Sequence, residues 1–166
     1  MVYLFYIVFF LILVFGFVIL FGAPFLPTLK KQVIPIFELL DLKEGQTLIE
    51  LGSGDGRILY EAGKRGINAV GYELNPMLVL YSIIRTWKYR QNVTVIWGNY
   101  WQKDWPQAEG IFVFLLNRYM LKLNNKIVQR YKTPIKVVSF AFKIPDRKID
   151  AQKHGLFLYR YNQPRK

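Results

Sequence analysis

Residues 48–57 read LIELGSGDGR, a short apolar run that ends in a carboxylate and is followed by glycines at three alternate positions. The apolar run is typical of a buried β-strand, and the glycines permit a tight turn with backbone angles that other residues rarely adopt. The residues from Arg57 onward have helical spacing. A strand, a glycine turn and a helix in this order predict a parallel sheet, with the turn at the carboxyl end of the first strand, where ligands bind.

The rest of the chain beyond residue 32 alternates between helix-like and strand-like segments. Strands that alternate with helices indicate an α/β fold with a mostly parallel sheet and helices on both faces. Residues 147–162 have room for two short strands and a turn but no helix, so we expect an antiparallel C-terminal finish. The pattern predicts helices at 32–42, 57–66, 76–91 and 118–131, and strands at 47–51, 68–74, 93–99, 110–116 and 135–142.

The N-terminal part of the chain differs from the rest. Residues 2–22 carry no charge, and a helix of this length crosses a hydrocarbon core of roughly 30 Å. We therefore expect a transmembrane anchor and linker in residues 1–29, which contacts membrane lipid, and a ligand-binding domain in residues 30–166. Lys30 and Lys31 follow the apolar run and no basic residue precedes it, so the positive-inside rule predicts a single-pass protein with its domain on the cytoplasmic side.

The composition limits the chemistry of the domain. The chain has no cysteine, which excludes thiol catalysis, disulfides and cysteine metal sites, and we predict no bound metal. Its one histidine, His154, lies beside Gly155 between a polar and an apolar segment, which indicates a solvent-exposed turn. The formal net charge is +12, and every charged residue lies at or beyond Lys30, so the domain carries all of that charge.

Three kinds of ligand use a glycine-rich turn of this type. A triphosphate-binding loop ends in Gly-Lys-Ser/Thr, whereas Gly56 is followed by Arg57 and Ile58. A dinucleotide-binding turn requires a small residue where the chain has Arg57. The third ligand, S-adenosylmethionine, has no phosphate, and its zwitterionic methionine end needs bare backbone. The turn therefore favours S-adenosylmethionine.

Two carboxylates lie where this ligand needs them. Glu50 ends the first strand, where its charge can orient the turn and face the ammonium group of the ligand. Glu73 ends the second strand in GYELNP, at the spacing of a carboxylate that accepts hydrogen bonds from ribose hydroxyls. An ordinary acid at a strand end is the alternative for Glu73 taken alone, but the combination with the glycine turn disfavours it.

The segments LGSGDGRI (51–58), AVGYELNP (69–76), FLL (114–116) and VVSFAFKIP (137–145) resemble the motifs of class I, seven-strand S-adenosylmethionine-dependent methyltransferases with a Rossmann-like sheet. The closer similarity is to the membrane-anchored lysine methyltransferases of the ATP synthase c-ring and adenine nucleotide translocase type and to their prokaryotic relatives. The resemblance covers roughly residues 33–161 and implies S-adenosyl-L-methionine as cofactor. It implies cofactor contacts at Glu50, Gly52, Ser53, Gly54, Gly56, Glu73, Leu74, Asn99 and Tyr100.

Two features depart from the family pattern. After the fourth strand the chain continues as LNRYM, where the family has small residues and proline, so the substrate side is expected to differ. The C-terminal part is also short, and we expect the usual helix between the last strands to be missing. A reduced substrate platform is the consequence.

Methyl transfer to lysine requires a deprotonated amine, and an apolar aromatic environment lowers the pKa of an amine. Tyr100 and Trp101 follow the third strand and Asn117 and Tyr119 follow the fourth, so all four lie at the ligand edge and are candidate catalytic residues. For Trp101, and for Trp105 nearby, packing in the core or at a membrane interface is the alternative to a cation-binding aromatic face.

The sequence favours an accessible lysine of a membrane-associated protein as methyl acceptor. A membrane lipid or a quinone-like small molecule, and a non-enzymatic role in binding S-adenosylmethionine, remain alternatives. Nucleic acid is disfavoured by the anchor and by the absence of prolines after Asn117. The helix at 118–131 also carries a basic stripe, which is either a solvated face or a contact with anionic lipid headgroups. Its members recur every four residues: Arg118, Lys122, Lys126 and Arg130.

Overall fold

The computed structural model of the chain describes residues 1–9 and 28–162. Residues 2–9 are helical and their side chains are exposed. Within the described residues, every helix is too short or too polar to cross a bilayer. Residues 10–22 of the predicted span lie outside the described residues. The domain boundary between residues 29 and 30 stays a prediction.

Residues 28–162 form one sheet with helices on both of its faces. Between the regular elements lie short 3-10 helices at Trp87–Tyr89, Tyr100–Gln102 and Asn117–Tyr119. The α-helices are α1 (Lys30–Leu40), α2 (Arg57–Lys64), α3 (Pro76–Thr86) and α4 (Met120–Arg130). The strands are β1 (Thr47–Leu51), β2 (Asn68–Glu73), β3 (Val93–Trp97), β4 (Gly110–Val113), β5 (Ile135–Phe140), β6 (Ala151–Lys153) and β7 (Leu156–Tyr161).

The strand order is β3-β2-β1-β4-β5-β7-β6. Strands β1 to β5 are parallel, whereas β7 runs antiparallel to β5 and β6 antiparallel to β7. The chain leaves β1 in one direction toward β2 and β3 and returns to β4 on the other side of β1. This reversal places the switch point of the sheet at the carboxyl ends of β1 and β4. The α/β class and the antiparallel finish are confirmed.

Alternating strand residues supply two cores. Leu48 and Phe112 face the helices α1 and α2, whereas Ile49 and Ile111 face α4. The segment between β3 and β4 covers the α4 face and buries Trp105, which is 1% exposed. Of the alternatives for Trp105, core packing is therefore correct.

The predicted elements are present, but most end earlier than the sequence pattern. Strand β3 ends at Trp97 because Gly98 has a φ of 134°, and β5 ends at Phe140 because Ala141 has a φ of 67°. Both angles are incompatible with an extended strand. Residues 141–150 contain no helix, so the expectation that the last helix is missing is confirmed.

Candidate active site

The loop at residues 52–56 follows β1 and is tied to β2 by its backbone. The N–H groups of Gly52 and Ser53 both donate to the carbonyl of Tyr72 at 2.9 Å. Gly52, Gly54 and Gly56 have φ values of 85°, 53° and 72°. All three lie in the left-handed region that favours glycine, which confirms the predicted tight turn.

The outer two glycines of this loop are needed for different reasons. A Cβ on Gly52 would have nothing within 4 Å, so its absence leaves open space beside the loop. A Cβ on Gly56 would lie 2.1 Å from Ser82 Oγ, so its absence lets α3 pack against the loop. Gly52 thus borders the space available to a ligand. The predicted cofactor contact of Gly56 stays a prediction, because its bare backbone is already required by α3.

Glu73 closes the loop from the neighbouring strand. Its Oε2 accepts a hydrogen bond from Gly54 N at 2.9 Å, and its Oε1 accepts from Leu74 N at 2.9 Å and Asn75 N at 2.8 Å. A carboxylate has about four lone-pair positions, so these bonds leave room on Oε2 for a hydroxyl. The predicted ribose contact of Glu73 stays a prediction.

Glu50 is buried at the end of β1, and its Oε2 has no hydrogen-bond partner among the described residues. Burial, and then the charges of Asp55 and Glu73, raise the pKa of Glu50 well above its usual range. The buried Ser53 Oγ also has no partner in the described part of the chain. Unpaired buried polar atoms are costly, and here they line the loop where a ligand with an ammonium group would pair with them.

An ion-pair cluster that sequence reasoning missed fixes the far side of the loop. Asp55 pairs with Arg57 at 2.6 Å and with Arg85 of α3 at 2.7 Å. Burial raises the pKa of Asp55, but Arg57 and Arg85 outweigh it and hold the pKa below its usual range. The Asp-Gly-Arg spacing could have suggested the first pair. Nothing in the local sequence pointed to Arg85.

The residues after β3 and β4 bring three of the four candidate catalytic side chains together. The ring centroids of Tyr100 and Trp101 lie 4.9 Å apart, and those of Trp101 and Tyr119 lie 6.1 Å apart. Burial raises the pKa of Tyr100, with smaller effects from Tyr119 and Glu73. The phenol of Tyr100 therefore stays protonated near neutral pH. We call Tyr100, Trp101 and Tyr119 the aromatic cluster.

Two predicted site residues have other surroundings than expected. Asn99 uses its Oδ1 to accept a hydrogen bond from Trp101 N at 3.0 Å, which caps the 3-10 helix that carries the aromatic cluster. Its adenine contact stays a prediction. Asn117 is exposed, and its side chain makes no hydrogen bond within residues 28–162. The structure does not bring Asn117 into the aromatic cluster.

The basic stripe of α4 is engaged with the protein itself. Lys122 Nζ lies 4.5 Å from the centroid of Trp101, and Lys126 Nζ donates to the carbonyls of Tyr100 and Trp101 at 3.2 and 2.9 Å. Arg130 Nε donates to the carbonyl of Trp105 at 2.9 Å. The segment after β3 lies under α4 and takes up these cations. Neither a purely solvated stripe nor a lipid-facing one describes this arrangement, and the headgroup interpretation is corrected.

The remaining sequence predictions concern histidine and metals. His154 is exposed, has a φ of 49° and lies in the turn between β6 and β7, so the turn assignment is confirmed. Among residues 1–9 and 28–162, no group of His, Cys, Asp and Glu side chains is arranged to hold a metal ion.

The strand order, the glycine loop at the switch point and the acid at the end of β2 define the class I methyltransferase domain. The ANTKMT methyltransferase domain model matches residues 50–151, more than half of the chain. The chain therefore belongs to the ANTKMT methyltransferase domain family. The family resemblance seen in the sequence is confirmed.

Two relatives extend this comparison. The chain is 34% identical over 124 residues to the human lysine N-methyltransferase of the ATP synthase c-ring protein, covering 74% of this chain and 53% of that protein. It is 29% identical over 126 residues to a protein-lysine N-methyltransferase of Saccharolobus islandicus (strain REY15A), covering 74% and 78%. The chain thus spans about half the length of the human relative.

A solved structure shares both fold and ligand class. The RNA methyltransferase from Salinibacter ruber, in complex with S-adenosyl-L-homocysteine, superimposes with a TM-score of 0.74 at 29% identity. The match covers 82% of this chain and 92% of that one. S-adenosyl-L-methionine as the cofactor of this domain is confirmed, and the unpartnered Glu50 and the open space at Gly52 fit it.

We expect alanine at Gly52 and at Gly56 to have opposite effects. Gly52→Ala puts a methyl group in the open space, so S-adenosylmethionine affinity should fall at least about tenfold while backbone strain costs only about 1 kcal/mol of stability. Gly56→Ala should cost about 2 kcal/mol or more, because its Cβ meets Ser82. Urea unfolding and calorimetric titration measure both. Equal stability losses, or normal binding by Gly52→Ala, would contradict these assignments.

Replacing Glu50 should separate stability from binding. Because the folded-state pKa of Glu50 is raised, the free energy of unfolding is greatest below about pH 4 and falls as the pH rises through the folded-state pKa. Glu50→Gln should therefore stabilise the ligand-free protein at pH 7, on the order of 1 kcal/mol, and weaken cofactor binding at least tenfold. The gain should vanish at low pH. Glu44→Gln, an exposed control, should change neither quantity.

Proposed function

We propose that this protein transfers the methyl group of S-adenosyl-L-methionine to the ε-amino group of a lysine in a protein acceptor. The observation that carries the proposal is the ammonium of Lys122, 4.5 Å from the Trp101 ring, inside the aromatic cluster beside the cofactor loop. The face of Trp101 thus already accepts a lysine side chain. The names of the human and Saccharolobus relatives support the same acceptor class.

The residues around the glycine loop would hold the cofactor, which supplies an electrophilic methyl group when bound. Glu50 would pair with its ammonium group, the backbone at Gly52 would lie against its methionine end, and Glu73 would accept from its ribose. Arg57 and Arg85 neutralise Asp55 and keep that charge away from Glu50. The protein's part is to position the groups and exclude water.

The acceptor lysine must lose a proton before it can attack. Burial lowers the pKa of Lys126, and the neighbouring charge of Lys122 lowers it further, against an opposing effect of Asp104. An acceptor lysine on Trp101 would share this electropositive, partly buried environment, so its own pKa would fall in the same direction. Tyr100, with its raised pKa, serves as a hydrogen-bond donor and orienting residue rather than as the base.

RNA is the second candidate acceptor. The Salinibacter relative carries the name RNA methyltransferase, and a net charge of +12 suits a polyanion. Membrane lipids and quinone-like molecules are further candidate acceptors, and a binding protein without transfer would leave no label anywhere.

Label transfer separates these possibilities. Incubation of the full chain with methyl-labelled S-adenosylmethionine and membrane fractions should place the label in protein, recovered as methyllysine after acid hydrolysis. Label in the lipid or nucleic-acid fraction, or no transfer by a protein that binds the cofactor normally, would contradict the lysine assignment.

Trp101 should be the most sensitive position for the acceptor. Trp101→Ala removes the aromatic face, so kcat/KM for a lysine-containing acceptor should fall about tenfold to a hundredfold while the cofactor Kd changes less than twofold. Trp101→Phe keeps an aromatic face and should recover most of the activity. Equal losses in both variants, or a parallel loss of cofactor binding, would assign Trp101 a packing role.

We also propose that residues 2–22 anchor the protein in a membrane as a single-pass helix with the domain on the cytoplasmic side. Support comes from the uncharged sequence and from Lys30 and Lys31 on one flank. Residues 10–22 lie outside the described residues, so the proposal rests on the sequence.

A reporter fused after Lys166 tests the orientation. The fusion should be active only in the cytoplasmic compartment, where the cofactor is made available to the domain. A reporter that is accessible from the opposite side, or a protein released from membranes by salt alone, would overturn the anchor or its orientation.

A further inference from the structure

Helix α3 exposes large apolar side chains along its whole length. Met77, Leu80, Tyr81 and Ile84 are each between 48% and 65% exposed, and Trp87, which follows the helix, is 61% exposed. Spacings of three and four residues place these side chains in one stripe. Trp97 on the edge strand β3 is 63% exposed, and its indole Nε1 donates to the carbonyl of Leu74 just before α3 at 3.0 Å. We call these six side chains the α3 apolar face: Met77, Leu80, Tyr81, Ile84, Trp87 and Trp97.

The packed side of the same helix is less apolar than its exposed side. Its buried residues are Val79, Ser82 and Thr86. A solvated helix normally shows the reverse, with apolar residues inward and polar ones outward. Contiguous exposed apolar surface of this kind marks a binding surface. The α3 apolar face is thus suited to a partner rather than to water.

The charges around the face point to an anionic partner. Residues 76–92 contain Arg85, Lys88 and Arg90 and no acidic residue. Lys88 and Arg90 are exposed, and the Arg90 guanidinium lies 5.1 Å from the centroid of Trp87. An apolar stripe bordered by tryptophan, tyrosine, lysine and arginine is the composition of an element that lies in a membrane interface. The aromatic rings suit the level of the headgroups.

The path of the chain connects this face to the apolar N-terminal sequence. The carbonyl of Thr28 accepts a hydrogen bond from Arg57 Nη1. Arg57 and Arg85 share Asp55, and Arg85 Nη2 donates to the hydroxyl of Tyr81 at 3.1 Å. The sequence that contains the uncharged run 2–22 therefore joins the domain through a short series of polar contacts that ends on the face itself.

We propose that the α3 apolar face docks on the surface of an anionic lipid bilayer. The side chains of the face enter the interface, and Lys88 and Arg90 contact acidic headgroups. Helix α3 begins directly after Glu73 and Asn75, so docking also holds the cofactor edge of the sheet near the level of the headgroups. The inference does not depend on the identity of the methyl acceptor. It replaces the basic stripe of α4 as the membrane-contacting surface.

Tryptophan quenching by brominated lipid tests the proposal on the full chain. The probes are vesicles of brominated phosphatidylcholine with phosphatidylglycerol, and vesicles of brominated phosphatidylcholine alone. The wild type should be quenched strongly on the anionic vesicles, and Trp87→Phe with Trp97→Phe should lose more than half of that quenching. Trp105, which is buried, serves as the unquenched reference in every sample.

A matched pair of charge variants supplies the second measurement. Leu80→Glu with Ile84→Glu should reduce the quenching of Trp87 and Trp97 on anionic vesicles at least fivefold. Leu121→Glu with Val128→Glu places the same charges on exposed positions of α4, across the sheet, and should leave the quenching unchanged. Both pairs should bind S-adenosylhomocysteine with unchanged Kd, which shows that each variant is folded.

Three results would overturn the proposal. The first is equal quenching of the wild type and the double tryptophan variant. The second is equal quenching on anionic and neutral vesicles, which would remove the role of the cations. The third is protection of Trp87 and Trp97 from aqueous acrylamide when lipid is absent, because the face would then be covered by protein, from residues 10–27 or from a second copy.

Discussion

The carboxylate of Glu73 is the contact on which the rest of the site depends. It accepts one backbone N–H from the glycine loop after β1 and two from the turn that starts α3. A buried N–H without an acceptor costs about 1–3 kcal/mol, so one side chain removes three such penalties at once. The loop, the β2 end and the start of α3 are thereby fixed to each other, and the open space beside Gly52 lies between them.

The same arrangement leaves the site incomplete without a ligand. Glu50 and Ser53 each have a buried oxygen without a partner in the described residues, and the raised pKa of Glu50 reflects that burial. The domain thus gives up stability at the positions where an ammonium group would bind. The aromatic cluster lies at the same edge and already binds a lysine ammonium on Trp101. Cofactor and acceptor chemistry therefore meet at the switch point of the sheet.

The sequence was informative wherever the determinant was local. The strand, the glycines and Glu73 follow from short patterns, because φ restrictions and strand periodicity act within a few residues. Longer-range features were not predictable. Asp55 and Arg85 meet only after α3 packs on the loop, and the cations of α4 reach carbonyls of the segment after β3. Helical spacing identified the apolar residues of α3 but not that most of them face outward. Three aromatic candidates converge, whereas Asn117 remains apart.

A pH titration of the Glu50 carboxyl by carbon NMR, with labelled glutamate and Glu50→Gln for assignment, tests the central claim most directly. In the ligand-free protein the Glu50 resonance should titrate well above the ordinary glutamate range. When the protein is saturated with S-adenosylhomocysteine, whose amino group would pair with Glu50, the resonance should remain that of a carboxylate to lower pH. An ordinary pKa in the free protein, or a titration that the ligand leaves unchanged, would contradict the account of Glu50 as the buried partner of the cofactor.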